Sequence, residues 1–342
     1  MGKNITIVAG PCAVESEEQI MNTAYKIGLM RDVARPYGID FKLRGGAWKP
    51  RTSYLVENGG NKERVFEGKR EGGLQLLAQA AKDYDLPIVS ELMSEMDVRY
   101  FQEQLDPERD YIQIGARTSQ AFALLFQTGV TGFGVVLKNP QHGVDMKEAL
   151  GSIERLRENR EVVYCIRGQK RFIHPHGTNS PEHEAYMSQL AQDPSQHPDA
   201  RNLNNIRTIE ILRNDPRFEN IKLCYDPSHT WGGKTHEMRR RIGESSIEAI
   251  VKYGYAWIIV EVDDKSKVAK CDKEQALATT LNGIDWSETY VEEKPPEDQM
   301  PLSLANIVTE IMKHQVQSGN VDGRHLKGDK ERIDDIKWDE SG

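Results

Sequence analysis

Residues 43–53 read LRGGAWKPRTS. Arg44, Lys49 and Arg51 place three cations in this stretch, Lys42 adds a fourth just upstream, and Thr52 and Ser53 contribute hydroxyls. The chain as a whole carries a net charge of −8, so this is a local concentration and not general basicity. A guanidinium fork suits bidentate contact with carboxylate or phosphate, and an ammonium acts as a point charge. Gly45 and Gly46 permit close backbone approach, and Pro50 stiffens the turn. The segment reads as an anion cradle. The plainer alternative is a surface turn whose cations lay their stems on apolar surface and keep their heads in water.

Three more cations fall just past short apolar runs: Arg117, Lys138 and Arg167. Converging on one site, these and the preceding four would bind more than one anionic group, because their mutual repulsion makes an empty site costly. A second set is Cys12, His229, Glu261 and Asp272. A thiolate, an imidazole and two carboxylates make a mixed ligand set for a divalent first-row ion such as Mn2+, Fe2+, Co2+ or Zn2+. Each residue alone also has an ordinary role. Cys12 could be a small buried hydrophobe, His229 a core or loop histidine, Glu261 an ion-pair partner of one of the cations, and Asp272 a helix cap.

Which reading holds depends on the elements that place these residues. Eight short runs rich in β-branched residues recur at 4–10, 40–46, 86–92, 110–116, 132–138, 161–168, 221–227 and 256–262. Most are continuously apolar, as expected for parallel strands buried on both faces. Amphipathic stretches separate them. One opens with Ser16 followed by acidic residues, a helix start, and GGLQLLAQAAKDY and MKEALGSIERLREN have helix-forming composition. Eight strands alternating with helices predict an α/β fold, a single (β/α)8 TIM barrel; an open doubly wound sheet is the alternative. In a barrel the strand ends converge on the C-terminal face, where catalytic groups gather. Closure would set the eighth run beside the first and seventh, bringing Glu261 toward Cys12 and His229. The barrel is expected over 1–317, with inserted loops near 54–70, 172–203 and 282–300, followed by a polar, mobile C-terminal tail over 318–342.

Composition excludes several classes. The chain has 342 residues, 38% hydrophobic and 29% charged, as soluble globular proteins do. Cys12, Cys165, Cys224 and Cys271 lie far apart with no zinc-finger spacing, so reduced thiols in the cytoplasm are expected. There is no run of about 18 apolar residues to span a membrane, and MGKNITIVAG lacks the layout of a signal peptide. Gly2 and Thr6 fit the formal myristoylation pattern, but a strand from about Ile5 leaves no arm to carry a lipid. The acidic balance argues against a nucleic-acid partner.

Taken together the motifs resemble a known family. AGPCAVES (9–16), RGGAWKPRTS (44–53), QIGAR (113–117), VVLK (135–138), RG (167–168), DPSHTWGG (226–233), IIVEV (258–262) and CDKEQAL (271–277) are similar, in order, to motifs of the metal-dependent 3-deoxy-D-arabino-heptulosonate 7-phosphate (DAHP) synthases. The resemblance is to the barrel-only core of the type that also includes the 3-deoxy-D-manno-octulosonate 8-phosphate synthases. It implies a transferase that condenses phosphoenolpyruvate with D-erythrose 4-phosphate, the first step toward aromatic amino acids. It makes Cys12, His229, Glu261 and Asp272 the ligands of one divalent metal ion. Arg44, Lys49, Arg117, Lys138 and Arg167 would hold phosphoenolpyruvate, Arg51, Thr52 and Ser53 would receive the aldose phosphate, and Asp226 would join the substrate-binding set. Lys49 is the expected proton donor to the aldehyde oxygen, and Glu91 the group that positions water. A homodimer or homotetramer without an appended regulatory domain is expected.

The departures lie where the aldose would sit. YLVENGGNKERVFEG follows KPRTS in place of the family's usual tyrosine-serine-phenylalanine-glutamine-glycine. Ile166 stands where this subgroup commonly has glutamate, and Trp231 interrupts a usually smaller segment. A different aldose phosphate is therefore the first rival reading. A non-catalytic phosphoenolpyruvate-binding protein is the second.

Overall fold

The structure, a computed structural model, describes residues 4–49, 55–58, 61–64, 68–141, 146–168, 206, 208–231, 236–262 and 304–336. The strands are β1 (Ile5–Gly10), β2 (Ile39–Arg44), β3 (Leu55–Asn58), β4 (Asn61–Arg64), β5 (Ile88–Leu92), β6 (Tyr111–Ile114), β7 (Gly134–Lys138), β8 (Glu161–Ile166), β9 (Lys222–Tyr225) and β10 (Trp257–Glu261). Eight of them close a barrel in the order β1-β10-β9-β8-β7-β6-β5-β2. Each of the eight apolar runs supplies one parallel strand, so the (β/α)8 barrel expectation holds.

The closed sheet explains why the runs are continuously apolar. Alternate side chains point to opposite faces of a strand. Ile7, Phe41, Ile88, Ile112 and Ile258 face the surrounding helices in one core. Val8, Val89, Val136, Val163 and Ile259 fill the inside of the barrel as a second. Both faces are buried, so no polar alternation survives.

The helices are α1 (Glu17–Ala34), α2 (Glu71–Asp83), α3 (Val98–Gln104), α4 (Phe122–Gly129), α5 (Met146–Glu154), α6 (Thr208–Arg213), α7 (Pro227–Trp231), α8 (His236–Val251), α9 (Leu304–Gln317) and α10 (Leu326–Asp334). Ser16 starts α1 as its pattern predicts. Its Oγ accepts from Gln19 N at 3.0 Å, and Gln19 Oε1 accepts from Glu15 N at 2.8 Å, a reciprocal cap.

Two segments differ from the sequence reading. The stretch 54–70, read as a loop, contains the antiparallel pair β3–β4 with Asn58 opposite Asn61. The stretch read as a mobile tail from Ser318 carries α10, which packs against α1 and α9. Ile333 is fully buried there, and Tyr37 Oη donates to Asp329 Oδ2 at 2.9 Å. The segments 172–203 and 282–300 lie outside the described residues.

Candidate active site at the barrel mouth

Inward-facing residues one step beyond the inner core reach the C-terminal end of the barrel. Arg44 on β2, Glu91 on β5, Lys138 on β7 and Glu261 on β10 occupy this layer, and all four are buried. Asp226, fully buried, follows β9.

The charges in this layer are paired. Arg44 Nη1 lies 2.5 Å from Glu261 Oε1. Lys138 Nζ lies 2.7 Å from Asp226 Oδ2, and the same oxygen is 2.8 Å from His229 Nδ1. His229 Nε2 in turn stands 3.8 Å from Glu261 Oε1, so the two pairs join into one chain. Asp226 Oδ1 also accepts from His229 N at 3.0 Å, which anchors the start of α7.

Burial would make each of these charges costly alone, and the partners reverse that cost. Burial opposes ionisation of Arg44, but Glu261 and then Cys12 outweigh it and raise its pKa. Burial would raise the Glu261 carboxyl; Arg44 and His229 hold it far below the usual carboxylate range. Asp226 is likewise held well below that range, against burial, by His229 and Lys138. Burial disfavours a charged Lys138, and Asp226 restores it. For His229 burial prevails and pushes the imidazole down to about 3, against the pull of Asp226. The imidazole is therefore neutral near pH 7, and Lys138 is the cation that keeps Asp226 ionised.

Glycines make room for this layer. A Cβ on Gly115 would lie 1.9 Å from Glu91 Oε1, so the carboxylate occupies the space a side chain would take. Gln113 Nε2 donates to Glu91 Oε2 at 3.4 Å. A Cβ on Gly46 would meet Lys49 Cδ at 2.4 Å and the Cys12 carbonyl oxygen at 2.6 Å. Gly46 O also accepts from Val14 N at 3.1 Å. The turns after β1 and β2 thus interlock, which brings half-buried Cys12 to the buried Lys49 and Arg44.

Arg167 is buried after β8, and its backbone N–H donates to Asn139 Oδ1 at 2.7 Å. Arg117 is exposed at the turn after β6. Arg51, Thr52, Ser53 and Asp272 lie outside the described residues. One sequence assignment is corrected. Lys42 does not join the mouth cations: its Nζ sits 4.8 Å from the Tyr111 ring centroid and 5.2 Å from that of Trp257. These rings open β6 and β10, so the ammonium runs to the opposite, N-terminal end of the barrel. Three uncharged residues escaped the sequence reading. Gln113 contacts Glu91, Asn139 anchors Arg167, and Ser228 Oγ accepts from Glu261 N at 3.0 Å. Gln113 and Ser228 lie inside QIGAR and DPSHTWGG and Asn139 directly follows VVLK, which was the signal available.

Beside Lys49 a cavity of about 460 Å³ opens between Trp48, Arg70 and Tyr100. Among the described residues no three His, Cys, Asp or Glu side chains are gathered closely enough to hold an ion. His229 and Glu261, 3.8 Å apart, are the two expected ligands that face each other.

Fold and site together define a (β/α)8 barrel protein with a layer of paired charges at its C-terminal mouth. Residues 1–193 match the model of the DAHP synthetase I family, and the chain belongs to that family. It is 31% identical over 274 residues to the phospho-2-dehydro-3-deoxyheptonate aldolase of Thermotoga maritima, across 80% of this chain and 65% of that protein. The chain thus spans a little under two thirds of that relative. A 2-dehydro-3-deoxyphosphooctonate aldolase of Francisella tularensis is 25% identical over 176 residues, 49% of this chain and 56% of that one. The crystal structure of the Thermotoga maritima DAHP synthase superposes with a TM-score of 0.60 at 27% identity, covering 92% of this chain and 69% of that chain. A truncated form of the synthase from that organism gives 0.58 at 24% identity, with 92% and 87% covered, a likeness of fold.

Proposed function

We propose that this protein condenses phosphoenolpyruvate with D-erythrose 4-phosphate and water, giving 3-deoxy-D-arabino-heptulosonate 7-phosphate and phosphate, the entry step toward aromatic amino acids. The observation that carries the reading is the buried chain Arg44–Glu261–His229–Asp226–Lys138 at the mouth of a closed barrel. A guanidinium has five N–H donors and an ammonium three, so one carboxylate partner leaves either able to take an anion as well. Arg44, Lys49, Arg117, Lys138 and Arg167 hold the phosphate and carboxylate of phosphoenolpyruvate, with Asp226 fixing Lys138. Arg51, Thr52 and Ser53 receive the aldose phosphate.

The donor set fits a divalent cation, one of Mn2+, Fe2+, Co2+ or Zn2+. A neutral imidazole offers a lone pair, Asp226 against Nδ1 directs Nε2 outward, and Glu261 is ionised. Cys12 and Asp272 complete the proposed ligands. Such an ion, when bound, polarises the aldehyde carbonyl oxygen as a Lewis acid. The chain's own groups do the remainder. The cations neutralise and align the two phosphorylated substrates so that C3 of phosphoenolpyruvate faces the aldehyde carbon. Lys49 donates the proton that the aldehyde oxygen takes up. Glu91, held by Gln113, orients the water that adds at C2 before phosphate leaves.

Residues 1–317 act as the catalytic barrel, with 54–70, 172–203 and 282–300 as insertions in it. The enzyme works in the cytoplasm as a homodimer or homotetramer. No helix among the described residues is long and apolar enough to cross a membrane. The test is phosphate release from phosphoenolpyruvate with erythrose 4-phosphate, arabinose 5-phosphate or ribose 5-phosphate, with and without chelator. Chelator-sensitive release with erythrose 4-phosphate alone is expected. Release only with another aldose changes the substrate and keeps the chemistry. Tight phosphoenolpyruvate binding with no release in metal-loaded protein makes it a binding protein.

A further inference from the structure

Cys165 on β8 and Cys224 on β9 have no part in the chemistry above. Both are free thiols, both are fully buried, and both face the inside of the barrel among Val8, Val136 and Val163. They are also registered partners across the β8–β9 ladder. The same level of the sheet sets Lys138 beside Cys165 and Trp257 beside Cys224. Along that level the bore reads lysine, thiol, thiol, indole. The two thiols lie within hydrogen-bonding reach of each other, and Cys224 Sγ donates to Tyr225 O at 3.7 Å.

This pair suits a different ion from the one expected at the mouth. Thiolate sulfur selects soft metals, and a tetrahedral ion asks for more donors than this level holds. Among the described residues no group of three such donors is gathered, and the surrounding valines offer none. A linear ion needs only two. Distance favours it over a disulfide. Neighbouring strands lie about 4.8 Å apart, and registered side chains start from that separation. A disulfide wants Cβ atoms about 3.8 Å apart. Two metal–sulfur bonds of roughly 2.3 Å each, laid end to end, span the gap without moving the strands.

Charge is the remaining obstacle, because thiols must lose their protons to bind a metal. Burial first, then Cys165 and Asp226, push the Cys224 thiol up, and Lys138 pulls against them. Burial opposes the charge of Lys138 in turn, and Asp226 and then Cys165 favour it. A monovalent ion on two thiolates leaves one negative charge in a buried place, and a buried charge needs a partner. The ammonium of Lys138, registered beside Cys165, is that partner.

We propose that Cys165 and Cys224 form a two-coordinate site for Cu(I), separate from the divalent-metal ligands Cys12, His229, Glu261 and Asp272. Two Cu–S bonds form, two S–H bonds break, both protons leave to solvent, and no electron is transferred. The ion enters by the mouth, past Lys138 and Asp226. The site does not depend on the condensation reading.

The experiment titrates Cu(I) anaerobically into the full chain against a chromophoric Cu(I) chelator. The chain has four cysteines, so Cys12→Ser/Cys271→Ser leaves the pair as its only thiols. That double variant is expected to take up one equivalent of Cu(I), and X-ray absorption should show two sulfur neighbours and no third ligand. Adding Cys165→Ala or Cys224→Ala should abolish the uptake. Cys165→Val and Cys224→Val keep each position filled and apolar, and thermal melts taken before metal is added show that each variant is folded. In the wild-type background the same valine changes should remove one equivalent. Uptake that survives in the folded valine variants, no uptake by the folded double variant, or a third ligand in the absorption spectrum overturns the site.

Discussion

At the C-terminal end of the barrel Arg44 and Lys138 face carboxylates across 2.5 and 2.7 Å. At the N-terminal end Lys42, two residues before Arg44 on the same strand, lies over two aromatic rings. Its nearest carboxylate, Asp40, is 3.8 Å away. Tyr111 under it donates to Glu161 Oε2 at 2.8 Å, and Glu161 also pairs with Lys222. Both ends bury cations, but they use them differently. The ion pairs above keep each member charged and leave donors able to turn to an incoming anion. Below, the stem of Lys42 runs inside the barrel and its head rests on ring faces. The two ends teach that this barrel holds buried cations in two ways, ionised against carboxylates above and resting on ring faces below.

The largest effect tests the upper end. Lys138→Ala strands Asp226 in a fully buried position, and breaking such a pair costs about 3–5 kcal/mol of stability. In folded protein the KM for phosphoenolpyruvate should rise more than that for the aldose; the reverse, seen in steady-state kinetics, would reassign the lysine. Next comes Gly115→Ala, whose new methyl would sit on Glu91 Oε1. Turnover should fall by about 10- to 100-fold, with a stability loss of about 1–3 kcal/mol from overpacking. Unchanged turnover would remove Glu91 from the chemistry.

Smaller effects belong to the lower end. Tyr37→Phe loses the bond to Asp329 that ties α10 beside the start of β2, a change of about 1 kcal/mol. Faster proteolysis after Ser318, with kinetics unchanged, is the expected result. Lys42→Met should alter stability by less than about 1 kcal/mol, because the lost ring contacts are offset by the relief of a buried charge. Burial lowers the Lys42 pKa, so the cost of its charge is complete below the folded value. That cost fades as pH rises toward the ordinary lysine range, where the unfolded chain also loses its proton. Wild type should therefore gain on Lys42→Met with rising alkaline pH in paired melting curves. A loss of phosphate release in Lys42→Met would erase the distinction between the ends.

The eight strands were legible because burial on both faces leaves unbroken apolar runs, and the strand ends pointed to the layer holding Arg44, Lys138 and Glu261. Lys42 was misplaced for a physical reason. Alternation puts it inside the barrel with Arg44, but a long stem can run to either end, and the rings that draw it downward sit on β6 and β10, remote in sequence. Asn139, Gln113 and Ser228 carry no charge, and although Gln113 and Ser228 lie inside QIGAR and DPSHTWGG, nothing in those motifs names their partners. The β3–β4 pair hid behind Asn58 and Asn61 with Gly59 and Gly60 between them, a short-hairpin signal that reads equally as a glycine-rich loop. Helix α10 escaped because Leu326 and Ile333 are the only large apolar residues in LKGDKERID.

The interlocked turns after β1 and β2 bear on how this barrel could be altered. Gly46 has the Cys12 carbonyl on one side and the Lys49 stem on the other, and Val14 is bonded to Gly46 O. A loop transplanted from a relative into either position alone would arrive with its counterpart missing. The two segments should travel together in any chimera, and one inherited change in either would favour a matching change in the other.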